Sequence, residues 1–321
     1  MIGLLLFREK ALNLFSKYDF YLIAIGKFLL SFTVLILINN RIGYSQAVNN
    51  PFLVIGLSLI CAFLSTTAIA IASYLLIFVN FAAVSPEITV MTVILFLVMF
   101  LCYFIFKPGK MYLAAISIIF CFMQMPGCLA ITAGLITGPV AVIPIVFALI
   151  TYTLINGVSV NFSILSSQMG TMGILQKLIY PLDILLKEEK VWGMILAITL
   201  TICVVYWIRQ TTIPYSWNIA IATGAIVYTV IVLLFIFVGN IAINLVGLFI
   251  STLIGSAIAV LYRFFVFEVD YSRTEYIQFE DDDYYYYVKA IPKIKVADTE
   301  VKVTNITAKT EEEKENFEEN G

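Results

Sequence analysis

The segment MPGCLAITAGLITGPVAVIP, Met125 to Pro144, decides the fold predicted for this chain. It lies within a run from Met111 to Gln176 that contains no charged residue, yet prolines and glycines cut it into short pieces. The piece from Cys128 to Thr137 would span only about 15 Å as a helix, half of a bilayer's hydrocarbon core. Irregular backbone is tolerated at that depth only where it is buried in protein or faces a water-filled cavity. The segment therefore predicts short, broken helices inside a larger membrane bundle.

The composition of the whole chain agrees with a membrane protein. Of its 321 residues, 61% are hydrophobic and 12% are charged, whereas a soluble domain has about 25% charged residues. The charges are segregated, because residues 1–267 carry 6 acidic and 12 basic side chains and residues 268–321 carry 15 acidic and 7 basic ones. We predict an all-α polytopic bundle with a small cytoplasmic β appendage and a disordered acidic tail.

The number of spans depends on two irregular regions. Clean spans are predicted over Phe20–Asn39, Ile88–Phe106, Val191–Ile208, Ile213–Val238 and Ile241–Phe267. The first irregular region is Phe52–Ser85, which makes one crossing, or two with a turn at Ser65-Thr66-Thr67. The second is Met111–Asn156, which makes two crossings or three. The totals are eight or ten spans. We prefer ten, because only this count puts Lys107 and Lys110 on the cytoplasmic side.

Basic residues before the first span predict the orientation. Arg8, Lys10 and Lys17 favour a cytoplasmic N-terminus, and an even number of spans then returns the C-terminus to the cytoplasm. The predicted parts are a lead-in (1–19), the membrane domain (20–267), a β module (268–309) and the acidic tail (310–321). Inside the membrane domain, loop 157–190 lies outside and has amphipathic helical spacing. It predicts a surface helix, either a packed connector or a lid over a central cavity.

Polar residues and helix breaks in the apolar region are candidates for a transport cavity. The two breaks are similar to the discontinuous helices of secondary transporters, whose free ends bind substrate or ion; tight packing of kinked helices is the alternative. Lys27 lies inside the first span, where it is either functional or snorkels to the headgroups. Asn244 either coordinates a cation or caps a helix. The candidate cavity residues are Lys27, Gln124, Pro126, Gly127, Gly138, Pro139, Asn240 and Asn244.

Small residues repeat every fourth position in the last span. Ser251, Gly255 and Ala259 fall on one helix face, which permits close approach of another helix. The partner is either a helix of the same bundle or a second copy of the chain.

Catalytic and cofactor motifs do not appear in the sequence. It has no histidine, its five cysteines form no CxxC pair, and neither a phosphate-binding loop nor a nucleophile elbow is present. We therefore predict no enzyme activity, no metal or cofactor site and no nucleic-acid partner. The predicted surroundings are the lipid bilayer.

The acidic C-terminal region combines tyrosines with a strand pattern. After Val288, Lys289, Lys293 and Lys295 alternate with apolar residues, which predicts a half-buried strand. A β module of this size is too small to be stable alone, so it must dock on the cytoplasmic face of the membrane domain, oligomerise or pair with another protein. The candidate docking residues are Asp281, Asp282, Asp283, Tyr284, Tyr285, Tyr286 and Tyr287.

The string RTEYIQFEDDDYYYYVKAIPKIKV, Arg273 to Val296, resembles the C-terminal signature of a family of multi-pass membrane proteins from Gram-positive anaerobes. Members are sometimes labelled as ABC-transporter permeases. The resemblance implies a bacterial plasma membrane and an ATPase subunit at the cytoplasmic face. The sequence thus favours a permease-like or transporter subunit. The alternative is a membrane scaffold whose β tail recruits a protein partner.

Overall fold

A computed structural model describes residues 2–45, 48–106, 112–160, 162, 174–239, 244–266 and 275–290. These residues form twelve α-helices, one short 3-10 turn and two strands. The helices are α1 (Ile2–Lys17), α2 (Asp19–Ile42), α3 (Pro51–Phe63), α4 (Thr66–Val84), α5 (Pro86–Phe106), α6 (Tyr112–Phe122), α7 (Pro126–Ile136), α8 (Val142–Val160), α9 (Ile174–Lys187), α10 (Glu189–Arg209), α11 (Ser216–Gly239) and α12 (Leu245–Val266). The predicted helical membrane bundle with a small β appendage is confirmed.

Helix lengths fall into two classes. Within the described residues, seven helices are long and apolar enough to cross a membrane, namely α2, α4, α5, α8, α10, α11 and α12. The apolar helices α3, α6 and α7 have 13, 11 and 11 residues, so they reach only about half to two thirds of the way across. The predicted count of ten includes the segments that form these three short helices, so the number of complete crossings stays a prediction.

Prolines explain where many helices begin. Pro51, Pro86 and Pro126 are the first residues of α3, α5 and α7, and Pro139 opens the 3-10 turn before α8. Proline is favoured there because its ring presets the helical φ and its missing N–H would have no helical partner. The turn expected at Ser65-Thr66-Thr67 is present as the break between α3 and α4.

Hydrogen bonds between helices define the two ends of the bundle. At one end, the Arg41 guanidinium of α2 donates to Asn156 Oδ1 of α8 at 2.6 Å. At the other end, the Arg209 guanidinium of α10 donates to the carbonyl of Leu135 in α7, and Arg263 donates to Asn218 Oδ1. We call these the Arg41 end and the Arg209 end.

The apolar core has two halves. One cluster of buried side chains joins α2, α3, α4 and α5 to α6 and α8. A second joins α6, α7 and α8 to α10, α11 and α12. A third, smaller cluster lies between α7, α10, α11 and α12 and includes Ile131, Leu135, Val205, Ala220 and Ala259. Because α6 and α8 take part in both halves, they connect them.

The two strands form an antiparallel hairpin. Strand β1 (Glu275–Glu280) pairs with β2 (Tyr285–Ala290), and Asp281 N–H donates to the Tyr284 carbonyl at 2.9 Å across the turn. The sequence placed a strand after Val288, whereas β2 begins at Tyr285, so three of the four tyrosines lie within the strand and Tyr284 lies in the turn. The predicted strand residues beyond Ala290 lie outside the described residues. The hairpin belongs to a unit separate from Phe15–Glu268.

Candidate functional site

A cavity of about 500 Å³ opens at the Arg41 end of the bundle. Its wall combines the end of α6, the start of α7, the second half of α8, the last turns of α9, the start of α10, the second half of α11 and the start of α12. This volume lies within the range of small-molecule sites, about 300 to 1,000 Å³. The cavity is thus large enough for a solute well above the size of water.

The break between α6 and α7 creates the space. Both helices are only 11 residues long, so each covers about 16 Å and their meeting point falls inside the bundle. Between them, Gln124 has φ +57°, a left-handed conformation that is uncommon for a residue other than glycine. Gln124 and Pro126 both line the cavity. The turn that reverses the chain therefore forms part of the cavity wall.

The floor of the cavity lies at the first turn of α7. Pro126 lacks an N–H, and the side chain of Met125 does not cap the helix. A Cβ added at Gly127 would lie 2.7 Å from the Tyr228 ring and 2.9 Å from Ser251 Oγ. Ser251 is 1% exposed, and its side chain is enclosed between Gly127, Tyr228 and Cys128. The first turn of α7 is therefore packed tightly on α11 and α12.

The rim carries the charged side chains of the cavity. Lys187 Nζ lies 2.5 Å from Asp183 Oδ2 within α9, and Glu188 and Lys190 follow at the junction with α10. The indole N–H of Trp192 donates to the Leu185 carbonyl at 3.1 Å, which ties α9 to α10. The four rim charges sum to zero. Formal charge is therefore confined to the mouth, and the described deeper wall is neutral.

Helix α9 lies within the loop predicted to be amphipathic, and residues 163–173 of that loop lie outside the described residues. Tyr180, Asp183 and Ile184 of α9 line the cavity. Ile184 also packs on α8, because a Cβ at Gly157 would lie 2.6 Å from its Cγ2. Both interpretations of this loop, a connector and a lid, are compatible with a helix at the cavity mouth.

Three of the predicted cavity residues line this cavity: Gln124, Pro126 and Asn244. Gly127 lies directly behind its floor. Asn244 Oδ1 also accepts from the N–H groups of Val246 and Gly247, at 3.1 and 3.4 Å, so it caps α12. The cap and the cavity position are compatible, because the cap leaves the Asn244 amide nitrogen as a donor.

The remaining predicted cavity residues lie elsewhere. Gly138, with φ +92°, packs against the Tyr206 ring, and a Cβ there would lie 2.7 Å from that ring. Pro139 follows it, at the far end of α7 from the cavity. Lys27 Nζ donates to the Leu64 carbonyl at 3.1 Å, where α3 ends. Lysine at a helix C-terminus interacts favourably with the unpaired carbonyls. Asn240 lies outside the described residues.

The small residues of α12 pack against α7 within the chain. A Cβ at Gly255 would lie 2.7 Å from the backbone Cα of Cys128. Cys128 Sγ donates to the Ser251 carbonyl at 3.0 Å, and Ala259 is fully buried. On the other side of α7, a Cβ at Gly134 would lie 2.9 Å from Val205 Cβ. Helix α7 is thus held closely on both sides, by backbone contact with α12 and by the Val205 side chain of α10.

Sequence reasoning missed several cavity residues. Tyr152, Thr153 and Asn156 of α8, Met194 of α10 and Tyr228 of α11 line the wall. The available signal was a polar side chain inside an otherwise apolar span, which is expensive to bury in lipid unless it faces protein or water. Thr153 also bonds its own helix at the Leu149 carbonyl, as many threonines do, so the signal is weak for that residue.

The docking residues lie at the tip and along β2 of the hairpin, and their side chains are exposed. Phe279 and Tyr286 pair across the strands with ring centroids 4.9 Å apart. Ile277 and Val288 form the next pair on the same face. The opposite face carries Tyr287, which is 78% exposed. The tyrosines therefore divide between an apolar and a polar face.

Comparison with known proteins identifies no relative, since no family model, curated protein or solved structure gives a significant match. The function is therefore argued from the geometry of the cavity.

Proposed function

We propose that this chain is a permease-like transporter subunit that carries a small amphiphilic solute through the cavity between α7, α8, α10, α11 and α12. The observation that carries the proposal is a cavity of about 500 Å³ that opens at one end of the bundle and stops at a broken helix. Secondary transporters bind substrate near the bilayer midplane at discontinuous helices of this kind.

Alternating access requires the bundle to be closed on the side opposite the cavity mouth. The described residues at the Arg209 end are packed in this closed way. Ile131, Val205, Ala220 and Ala259 are fully buried in one cluster between α7 and the last three helices. Arg209 bonds the Leu135 carbonyl in the same region, and its guanidinium lies 5.1 Å from the Trp217 ring centroid. In a transporter, this cluster is the part that must separate when the solute leaves on the second side.

The distribution of basic residues supports an orientation for the proposal. Arg209, Arg263 and Lys27 lie towards one end, where the Arg209 guanidinium contacts the Leu135 carbonyl and the Trp217 ring. The cavity mouth balances its lysines with Asp183 and Glu188. The positive-inside tendency favours the Arg209 end as cytoplasmic. The cavity then opens to the outside, and the ATPase subunit that the family resemblance implies would bind at the Arg209 end.

Cysteine labelling tests the transporter proposal. In a protein whose five native cysteines are replaced, Met194→Cys lines the cavity, Ala220→Cys lies in the closed cluster, and Leu97→Cys on the exposed face of α5 is the control. We expect an impermeant thiol reagent to modify Met194→Cys from the Arg41 side only. Ala220→Cys should react from the Arg209 side only, and more slowly, because it is exposed only in the second state.

The measurement compares intact cells with inside-out vesicles, using a charged maleimide and mass shift on a gel. Met194→Cys faces water and Leu97→Cys faces lipid. We therefore expect the labelling rate of Met194→Cys to be about ten times that of Leu97→Cys or more. Complete inertness of Ala220→Cys on both sides, in energised membranes, contradicts transport and leaves a one-sided binding pocket.

A membrane scaffold is the second candidate, and the hairpin is the observation that favours it. The apolar face formed by Ile277, Phe279, Tyr286 and Val288 is exposed. A two-stranded hairpin is marginal by itself in water, so a contact on this face would stabilise it. Under this hypothesis the bundle anchors the chain and the hairpin binds a soluble protein.

Photo-crosslinking separates the two faces of the hairpin. A benzophenone amino acid at Tyr286 should give a protein adduct in cells, whereas the same amino acid at Tyr287, on the opposite face, should give little. The expected adduct ratio is at least about five, because only the apolar face can exclude water from a contact. Equal yields at both positions would mean that the apolar face is not a specific docking surface.

A further inference from the structure

Below its rim, the cavity offers hydrogen-bonding groups that carry no formal charge. The carboxamides and phenols that line it are those of Gln124, Asn156, Asn244, Tyr152 and Tyr228. Among the described lining residues, formal charge occurs only at the rim, where two acidic side chains and two lysines sum to zero. Binding sites for small molecules combine an apolar wall with a few polar groups that fix the ligand's orientation. These neutral groups therefore define which solute fits.

Asn156 in α8 has one half of its carboxamide left for a ligand. Its Oδ1 accepts from the Arg41 guanidinium at 2.6 Å. Because a guanidinium only donates, this contact fixes which end of the amide points at Arg41. The Nδ2 group has no hydrogen-bond partner among the described residues, and it is not enclosed by protein. Asn156 thus contributes an open donor to the cavity wall.

Asn244, before α12, is oriented in the same way by different partners. Its Oδ1 accepts from the N–H groups of Val246 and Gly247, at 3.1 and 3.4 Å. Backbone N–H groups only donate, so the oxygen must point at the helix and Nδ2 is the end left over. The side chain is exposed. Two carboxamides from different helices therefore both present donors, while protein donors occupy their oxygens.

Two phenol hydroxyls add to these donors. Tyr228 is only 2% exposed, yet neither its hydroxyl nor that of Tyr152 is both enclosed and unpaired. Neither hydroxyl bonds another residue in the part of the chain that the structure describes, and each can donate or accept. The rest of the wall is largely apolar and includes Val191, Val232 and Leu248. A matching solute has acceptor oxygens at one end and an apolar group at the other.

The charge of the solute follows from the charges around the cavity. Moving an ion out of water is costly unless an opposite charge lies close to it. The Arg41 guanidinium is not a lining group and reaches the wall only through Asn156. At the rim, Lys187 is paired with Asp183 at 2.5 Å. Neutral donors without a free counter-charge favour a carbonyl oxygen over an ion.

We infer that the cavity selects an uncharged solute whose carbonyl oxygens accept from Asn156 Nδ2 and Asn244 Nδ2. Its branched or aromatic apolar group lies against Val191, Val232 and Leu248. This inference rests on the proposed function, because it names the class of solute that the cavity takes. Neutral amides and esters belong to this class, whereas free carboxylates and amines do not.

A matched series of probes tests the inference with the full chain in lipid nanodiscs. The probes are neutral N-acetyl-leucinamide, anionic N-acetyl-leucine and leucinamide, which is cationic in the mildly acidic buffer used for all three. We expect a saturable rise of the thermal midpoint with the neutral probe. Each ion should need at least about ten times the concentration for the same rise, because the cavity holds no free counter-charge. The neutral probe should also slow maleimide labelling of Met194→Cys, which places it in the cavity.

The ester carbonyls of phospholipids share this chemistry, and nanodiscs of diether lipids lack them. A larger midpoint rise in diether nanodiscs would identify lipid esters as competing occupants of the cavity. An equal rise would identify the free solute as the occupant. Both results support the inferred class.

The decisive variants are Asn156→Asp and Asn244→Asp. Each keeps the oxygen that the protein uses, for Arg41 or for the start of α12, and replaces the NH2 donor by a second acceptor. Each should weaken the neutral probe about tenfold, with little change of the ligand-free midpoint. Asn244→Asp should also strengthen binding of cationic leucinamide, because its new charge has no basic partner among the described residues.

Asn218→Asp is the matched control. Asn218 Oδ1 accepts from Arg263 at the Arg209 end, as Asn156 Oδ1 accepts from Arg41, and Asn218 does not line the cavity. This variant should leave the midpoint shifts of all three probes unchanged. A lower ligand-free midpoint in Asn156→Asp and Asn244→Asp, with unchanged binding of the neutral probe, would give both residues a structural role and overturn the inference.

Equal or larger shifts by either ion, or no saturable shift with any probe, would also overturn it. The proposed function fails separately, by inertness of Ala220→Cys from both sides. Selectivity for the neutral probe with an inert Ala220→Cys would support the inferred site in a receptor that does not transport. Reactive Ala220→Cys without this selectivity would overturn the inference and leave a transporter of another solute class.

Discussion

Gly255→Ala is expected to destabilise the membrane bundle strongly, although it adds only one methyl group. A Cβ at Gly255 would lie 2.7 Å from Cys128 Cα, 3.3 Å from Cys128 N and 3.4 Å from the Gly127 carbonyl oxygen. All three atoms are backbone atoms, so no side-chain rotation can relieve the clash. Forcing extra volume into a packed core costs about 1 to 3 kcal/mol, and a backbone clash belongs at the upper limit. Gly255→Val should yield little folded protein.

Glycines in open positions provide the matched control. Gly26 in α2 and Gly56 in α3 have no atom within 4 Å of an added Cβ. Gly26→Ala and Gly56→Ala should therefore be neutral or stabilise by up to about 1 kcal/mol, the difference in helix propensity. The measurement is thermal unfolding in detergent, followed by the monodisperse fraction on size exclusion. Equal midpoints for Gly255→Ala and Gly26→Ala would show that α7 and α12 are not in close contact.

The clash at Gly255 also predicts an effect on the cavity. Cys128 and Gly127 belong to the first turn of α7, which forms the floor beside Ser251. Any shift that relieves the methyl group must move this turn away from α12. The surviving fraction of Gly255→Ala should accordingly have a cavity of altered shape, measured by the labelling rate of Met194→Cys. The same contact that stabilises the bundle thus positions the site.

The break points of the fold were predictable from residue chemistry. Proline cannot donate the hydrogen bond of a helix interior, so Pro126 was predicted as a break, and it is the first residue of α7. Pro51 and Pro86, which begin α3 and α5, lie one and two residues before the predicted segments Phe52–Ser85 and Ile88–Phe106. The spacing of Ser251, Gly255 and Ala259 predicted a close helix contact, and α7 is the helix that lies there. These features depend on residues close together in the chain, so they can be predicted from a single sequence.

The position of the cavity was less predictable. The breaks at Pro126-Gly127 and Gly138-Pro139 look alike in sequence, and both were candidates for one cavity. The 11 residues of α7 lie between them, which separates the two breaks by about 16 Å along the helix axis. Pro126 of the first break lines the cavity, whereas Gly138 of the second packs on Tyr206. Which neighbour fills a break is decided by residues about 70 positions away, and hydropathy carries no information on such contacts.

The hairpin shows a similar division between local and non-local information. Strand alternation was visible in sequence, yet the strand was placed after Val288, because four consecutive tyrosines do not alternate in polarity. Pairing with β1 recruits Tyr285, Tyr286 and Tyr287 into the sheet. Aromatic residues are favoured in strands through such cross-strand contacts, and the stacked Phe279 and Tyr286 rings are one example. The pairing partner, rather than the local pattern, sets where the strand begins.

Arg209→Ala is expected to loosen the closed end of the bundle. The Arg209 guanidinium donates to the carbonyl of Leu135, in the last turn of α7, and lies 5.1 Å from the Trp217 ring centroid. Leu135 is fully buried, so the variant leaves an acceptor without its partner at a cost of about 1 to 3 kcal/mol. Loss of the cation–π contact adds about 0.5 to 2 kcal/mol. Arg209→Lys keeps the charge but has a single donor group, and should recover part of the loss.

The control for Arg209 is Lys187→Ala, whose side chain is 76% exposed in an i,i+4 pair with Asp183. Such a pair contributes about 0.3 to 0.5 kcal/mol, so this variant should unfold at almost the same temperature as the parent protein.

Arg209→Ala should also change the access of reagents to the closed end of the bundle. Because α7 is tied to α10 at this end, its release should increase modification of Ala220→Cys from the Arg209 side several-fold. A stable Arg209→Ala protein with unchanged Ala220→Cys modification would mean that the closure depends on the apolar cluster alone.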